Sequence, residues 1–304
     1  MSRRQLRPGA GDGGNNLGVT AVRARAPASS ANLGPGFDTL ALALALYCEV
    51  EIEPAGRLSV RSEGEGADLP ADASHLAARV AVGVAGHERM AITVRSEIPV
   101  GRGLGSSAAL AAAAAAAAGA PDPLAVASAA DGHPENAAAS VLGGLVTATV
   151  VDGRALAHPL ALDADLAFVV LVPAQPLATA EARAALPATV AHGDAAFNLG
   201  RMGLLLAGLA DADRLVPAAT DDRLHQAARA PLFPPSTALL AGLVGSGALG
   251  ASWSGAGPSL LAICRREGSA TVRQAGERLL AEAGVAGRAL LLEPDMAGLV
   301  VTRS

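Results

Sequence analysis

The chain reads as an α+β protein of two domains, and three observations point there. Its 304 residues suffice for two domains of ordinary size. Stretches of strand period alternate with stretches of helical character along its whole length. At Ile98–Gly119 a strand passes through a glycine-rich turn into an alanine helix, a junction typical of mixed architectures. The division falls near Asp163, giving a disordered tail over 1–18 and domains over 19–162 and 163–304.

The elements follow in order. Thr20 to Ala26 alternates, with Val22, Ala24 and Ala26 opposite Arg23 and Arg25, and Pro27 closes that strand. Pro27 to Asp38 is dense in turn formers and reads as a loop. Thr39 to Leu46 is apolar, then Cys48, Val50 and Ile52 alternate with Glu49, Glu51 and Glu53; Leu58 to Arg61 is expected to pair with that strand. His75 to Gly86 reads as a helix and Arg89 to Ser96 as a half-buried strand ended by Pro99. The run Ala111–Ala118 continues a helix that Ser106 and Ser107 can cap and that Gly119 and Pro121 stop. Asp122-Pro123 opens a short helix to Asp131, and Pro134 sits as at the first position of a helix to Leu142. Asp152-Gly153 is a hairpin turn between strands Leu145–Val151 and Ala155–Leu162. Beyond the division, Leu166–Val172 is a buried strand. Helices are expected over Thr179–Pro187, Asp194–Ala210, Asp222–Pro231 and Thr271–Ala283. Strands Leu260–Cys264, Ala289–Leu292 and Leu299–Val301 complete the set.

Composition excludes several functions. A net charge of −5 without a basic stripe argues against nucleic acid, and no polybasic segment argues for an anionic membrane. Met1 to Gly18 has three arginines but no apolar core, so it is not a signal peptide. The alanine run is too short and too small-chained to span a membrane. Cys48 and Cys264 are far apart without ligand spacing, which suits a reducing cytoplasm. Aromatics are 2%, so the core must come from Ala, Leu and Val.

Gly101, Gly103 and Gly105 leave three positions without a Cβ just before a helix start. Such a turn aims free N–H groups and the positive end of the helix dipole at one point, an anion site that phosphate usually fills. All 23 basic residues are arginine. A Walker A loop and a protein kinase each need a lysine, so neither is present, and the glycine spacing is not that of a dinucleotide fold. A phosphate site here must rest on amides, hydroxyls, arginine and a metal ion.

Pro99 to Ala109 (PVGRGLGSSAA) resembles the ATP-binding motif of the GHMP small-molecule kinases. The resemblance implies the two-domain GHMP fold, with a ribosomal-protein-S5-like N-terminal and a ferredoxin-like C-terminal domain. It implies ATP contacts from Pro99, Val100, Gly101, Arg102, Gly103, Leu104, Gly105, Ser106, Ser107, Ala108 and Ala109, and Mg²⁺ held by Ser106 or Ser107. Pro27 to Asp38 (PASSANLGPGFD) is similar to the N-terminal signature of the homoserine kinases within that family. There Asn32 and Asp38 face the amino-acid substrate, Asp38 being suited to an ammonium. Asp131 to Asn136 (DGHPEN) resembles that group's metal and substrate segment, implying Asp131 at Mg²⁺ and His133, Glu135 and Asn136 at homoserine. Asp131 is one methylene shorter, and Glu135 one longer, than the residues usual there; both keep the hard oxygen that such cations require. Thr179 to Arg183 and Asp222 to Arg229 resemble motifs whose arginines, here Arg183 and Arg229, hold the substrate carboxylate, a task for a planar bidentate donor. Thr179 joins the substrate contacts. Ser254 to Ser259 (SGAGPS) resembles a third motif that supports the phosphate loop. Ser74 and Ala41 depart from an Asn near adenine and a Gly, respectively.

The implied function is ATP- and Mg²⁺-dependent phosphorylation of L-homoserine on its side-chain hydroxyl, in threonine biosynthesis, by a cytoplasmic protein that could form a homodimer. No residue stands out as a general base. The alternatives are another GHMP small-molecule kinase, or a nucleotide-binding regulator without turnover.

Overall fold

A computed structural model describes residues 21–303; the tail assigned to 1–18 and the strand start at Thr20 lie outside the described residues. The strands are β1 (Val22–Asn32), β2 (Gly36–Pro54), β3 (Ser59–Gly64), β4 (Met90–Ser96), β5 (Leu145–Val151), β6 (Arg154–Leu160), β7 (Leu166–Pro173), β8 (Gly250–Trp253), β9 (Leu260–Arg265), β10 (Gly287–Leu292) and β11 (Val300–Arg303). The helices are α1 (Leu76–Ala85), α2 (Ser106–Ala117), α3 (Pro123–Asp131), α4 (Pro134–Leu142), α5 (Thr179–Ala184), α6 (His192–Ala210), α7 (Gln226–Arg229), α8 (Ser236–Gly245) and α9 (Ser269–Glu282).

The strands form two sheets. The first has seven, in the order β11-β1-β2-β4-β3, with β5 pairing β2 further along and β6 beside β5. The second has four, in the order β10-β7-β9-β8. The last strand of the chain thus returns to the first sheet, where Val301 faces Ala24. No helix among the described residues is long and apolar enough to cross a membrane.

Five expectations are corrected. Pro27 to Asp38 is not a loop: β1 runs on to Asn32 and β2 begins at Gly36, leaving only a tight turn. Pro27, which has no N–H to give, sits at a register shift that absorbs the defect. Likewise Thr39–Leu46 and Cys48–Ile52 belong to one strand. Leu58 to Arg61 does not pair with β2 but lies parallel on β4. A parallel neighbour needs a crossover, which α1 supplies, and β4 takes the place beside β2. Ser106 and Ser107 do not cap α2; the cap is Gly105 at φ 64°, and the serines lie within the first turn. The helix expected over Asp222–Pro231 shrinks to four residues and a 3₁₀ turn at Ala230–Leu232. The Asp222 carboxylate accepts the N–H groups of Leu224, His225 and Gln226, so the preceding residues form a capping turn instead.

The alanine helix is the centre of the first layer. Ala108 through Ala117 are buried, and the helix packs on β1 and β2 and against α1, α3 and α4. Only a methyl-sized side chain lets backbones approach on so many sides, and alanine is also the best helix former. The second sheet is filled by Phe168 on the face toward that core and by Trp253 and Phe233, edge to face at 6.4 Å, on the other. Cys48 and Cys264 are buried free thiols, pushed up to about 12 by burial.

Candidate active site

The phosphate loop is held from below by two strand ends. Ser29 donates its N–H to Leu104 O at 3.1 Å. Ser254 Oγ donates to Gly103 O at 2.7 Å, and with its one hydrogen so used it accepts from the Ser30 hydroxyl at 2.8 Å. A Cβ on Gly103 would lie 2.2 Å from Ser254 O, and one on Gly105 2.0 Å from Ser29 Oγ, and both glycines have positive φ. Gly103, which meets backbone, therefore excludes any side chain, and at Gly105 one would have to displace the Ser29 hydroxyl in a left-handed conformation. Gly103→Ala is expected to push the loop off Ser254 and weaken binding of a phosphate ligand at least about tenfold, read by titration calorimetry with ATP as the probe; strain and a backbone clash each cost on the order of 1–3 kcal/mol.

Above the loop lies a cavity of about 410 Å³. Pro99 through Ser107 line it, with Leu69, Leu76 and Leu110 as an apolar wall and Asp131, His133, Asn136 and Thr179 on the rim. Ala108 and Ala109 lie beneath it, buried. Ser74, which turns its hydroxyl to Asp72 at 2.6 Å, is not part of the wall. Arg102 lines the cavity, but its guanidinium is engaged with three backbone carbonyls, of Val100, Pro173 and Ala174.

Two oxygens face the loop at the start of α2. Ser107 Oγ donates to Asp131 Oδ1 at the end of α3. Burial raises the Asp131 carboxyl above its ordinary range, as expected for an acid short of a counter-charge. Hydroxyl and carboxylate together are a hard-oxygen set that fits Mg²⁺. Ser106 stands beside them in the same turn.

A second cluster, of opposite charges, adjoins this one. Asp38 takes both Nη atoms of Arg183 at 2.9 to 3.1 Å, and Arg183 also reaches His133 Nδ1 at 3.2 Å. Asp38 has φ 51° and is held there by Asn32, whose Oδ1 accepts its N–H at 3.0 Å. Asn32 is itself buried and donates to Gly255 O at 2.9 Å. Asn136 Oδ1 accepts from Ser29 Oγ at 2.9 Å. Asp38, His133 and Glu135 offer ligand atoms within 4.8 Å of one another; with a guanidinium already on Asp38, the set suits an ammonium better than a metal. Glu135 is buried and its Oε2 has no hydrogen-bond partner. Burial, and then the charges of Asp38 and Asp131, push it up to about 7.

Arg229 enters the same corner from beneath. It is 2% exposed and donates to Ala182 O, Gly255 O and His225 Nδ1 at 3.3, 3.0 and 3.1 Å. Burial, then the nearby Arg183 charge, lower its affinity for the proton, though a guanidinium stays charged. Because arginine can only donate, His225 Nδ1 must accept, which leaves Nε2–H to donate to Gly34 O at 2.9 Å. Burial holds His225 below its usual value and so neutral. Phe37 stacks on His225 at 5.0 Å, and both guanidinia flank its ring, at 5.7 and 5.5 Å.

The structure thus gathers Asn32, Asp38, His133, Glu135, Asn136, Arg183 and Arg229 beside the loop, with Thr179 exposed at the start of α5. The sequence patterns give no role to Phe37 or His225, although both stand inside the motifs, nor to the Ser29 and Ser30 hydroxyls; Ser254, in the motif expected to support the phosphate loop, meets Gly103 O there. Their importance comes from contacts across more than a hundred residues, which spacing does not show.

A glycine loop and a bipolar corner on this fold define a small-molecule kinase of one class, and the comparisons agree. Family models described as the GHMP kinases N terminal domain and GHMP kinases C terminal match residues 71–144 and 196–282. The chain belongs to the GHMP kinase family and has its two-domain fold. Among its relatives are proteins named homoserine kinase. The one from Leifsonia xyli is 39% identical, over 95% of this chain and 94% of that protein. One from a Mycobacterium species (strain KMS) is 44% identical over 81% and 85%. The solved homoserine kinase from Cytophaga hutchinsonii superposes with a TM-score of 0.83 at 26% identity, covering 98% of this chain and all of that one.

Proposed function

We propose that this chain transfers the γ-phosphoryl group of ATP to the side-chain hydroxyl of L-homoserine. The observation that carries the reading is the corner beside the phosphate loop. Two guanidinia and two carboxyls converge there, and the buried Arg229 has only neutral partners among its hydrogen bonds. A zwitterion completes both halves: its carboxylate takes the free donors of Arg183 and Arg229, and its ammonium takes Asp38 and Glu135. His133, Asn136 and Thr179 close the space between that seat and the phosphates. A mevalonate-type acceptor, lacking an ammonium, would leave the buried Glu135 without a partner.

The amides of Gly101–Ser107 and the dipole of α2 hold the triphosphate. Asp131 with Ser107 or Ser106 would hold Mg²⁺, which when bound neutralises charge on the phosphate oxygens. Phosphoryl transfer needs alignment and charge compensation more than covalent help. This chain's residues supply alignment: Asn32 fixes Asp38, and Gly255 O spaces Asn32 from Arg229. We assign no general base. The division near Asp163, a cytoplasmic setting and a homodimer belong to the same proposal.

The test is ADP release with homoserine, threonine, mevalonate and galactose offered in turn. Release with homoserine in large excess over the others is expected. Silence with all four despite ATP binding would discard the reading.

A further inference from the structure

Arg102 stands in the middle of the phosphate loop, yet its donors are taken up by backbone carbonyls. Nε gives a bond to Pro173 O at 3.1 Å, Nη1 to Val100 O at 2.5 Å and Nη2 to Ala174 O. Its neighbour Gly101 accepts the N–H of Leu177 at 3.0 Å, and a Cβ on Gly101 would touch Pro176 at 3.4 Å. The loop is thereby fastened to one segment, Pro173 to Leu177, at the end of β7. That segment runs directly into α5, which presents Arg183 to Asp38 and whose Ala182 carbonyl receives Arg229.

We infer that Arg102 is a positioning residue for the acceptor, tying the phosphate loop to the segment that delivers α5, so that the loop's conformation sets where Arg183 stands. This rests on the reading of Arg183 as an acceptor ligand. A planar fork with three separately directed N–H groups is what clamping several carbonyls needs, and lysine cannot reproduce it. α5 has six residues and an exposed outer face, so the segment ahead of it, more than packing, fixes its place. Ala174 is exposed, so water replaces the lost donor there when Arg102 is changed, whereas Pro173 is buried and its carbonyl relies on the substituted side chain.

Arg102→Gln is expected to raise the homoserine KM about tenfold while the Kd for ATP alone stays within twofold, a coupling of ordinary size for adjoining groups. Arg102→Lys should recover little. In an Arg183→Lys background the same change should add less than twofold, because its route to the acceptor is already cut. Hydrogen exchange on the full chain supplies a readout independent of turnover: ATP should protect residues 177–184 in the wild type and not in Arg102→Gln. A weaker ATP Kd with an unchanged homoserine KM, no change in either, full additivity in the double variant, or equal protection in both proteins would each overturn the inference. If Arg102→Gln does not stay folded, Pro176→Gly loosens the same segment and is read the same way. A wild type that fails to phosphorylate homoserine sinks the functional reading, whereas the exchange experiment still decides the tie.

Discussion

Arg229→Ala is expected to lower kcat/KM for homoserine by about 10³-fold or more and to reduce stability by roughly 3 kcal/mol, since truncating one partner of a buried charged network typically costs 3–5 kcal/mol. Two losses combine. On the proposed reading the acceptor's carboxylate loses a desolvated cation, and the protein loses the donor shared by Ala182 O, Gly255 O and His225 Nδ1. Gly255 O is also the anchor of Asn32, so Asp38 loosens in turn. Arg183→Ala is the informative contrast. Arg183 is 42% exposed at its side chain and pairs with a 37% exposed Asp38, so the pair adds at most about 1 kcal/mol to stability. Its loss should leave the melting temperature unchanged while raising the homoserine KM on the order of 30-fold, about 2 kcal/mol for a solvated charged hydrogen bond. Steady-state kinetics with thermal melts on both variants separates the cases. Equal loss of stability in the two would contradict the division of labour drawn here.

How much of this was legible beforehand follows from the range of each interaction. The phosphate loop could be read because its signal is local: three glycines, a helix start and a missing lysine all fall within or bear upon one stretch. The acceptor residues were named through resembling segments, not through chemistry, because the contacts that give Arg183 and Arg229 their meaning span 145 and 26 to 47 residues. Local propensity misled where tertiary structure overruled it. Pro27 reads as a strand end but sits inside a strand beside a bulge, and Leu58–Arg61 reads as the hairpin partner of its predecessor until α1 is seen to carry the chain across. The Asp222 segment reads as a helix by composition, yet three amides fold onto its own carboxylate first. Ser106 and Ser107 have the right chemistry to cap a helix, but a left-handed Gly105 does so instead. That leaves Ser107 free to meet Asp131.

Glu135 carries the second large effect, and its sign is opposite to that of an ordinary carboxylate. Its folded value is raised from 4.5 to about 7, burial being the main cause. Below pH 4.5 both folded and unfolded chains hold the proton and the group contributes nothing. Between 4.5 and 7 the folded state holds more protons than the unfolded one, so stability falls as pH rises, and above 7 the full cost of a buried charge is present. At about 1.4 kcal/mol per pH unit that cost is on the order of 3 kcal/mol. Glu135→Gln removes it, and the variant should therefore match the wild type near pH 5 and exceed it in urea midpoint at pH 8. On the proposed reading the same substitution should cost function, the orphaned Oε2 being the group offered to the acceptor's ammonium. Wild-type kcat/KM for homoserine is expected to rise through pH 6 to 8 as Glu135 ionises, whereas the variant should be about tenfold slower at pH 8 and lack that limb. Asp38, Asp131 and His133 are the other ionisable groups that face Glu135, and His133→Asn serves as the control. A limb that persists in Glu135→Gln and disappears in His133→Asn would move the proton, and the charge it controls, from the glutamate to the imidazole.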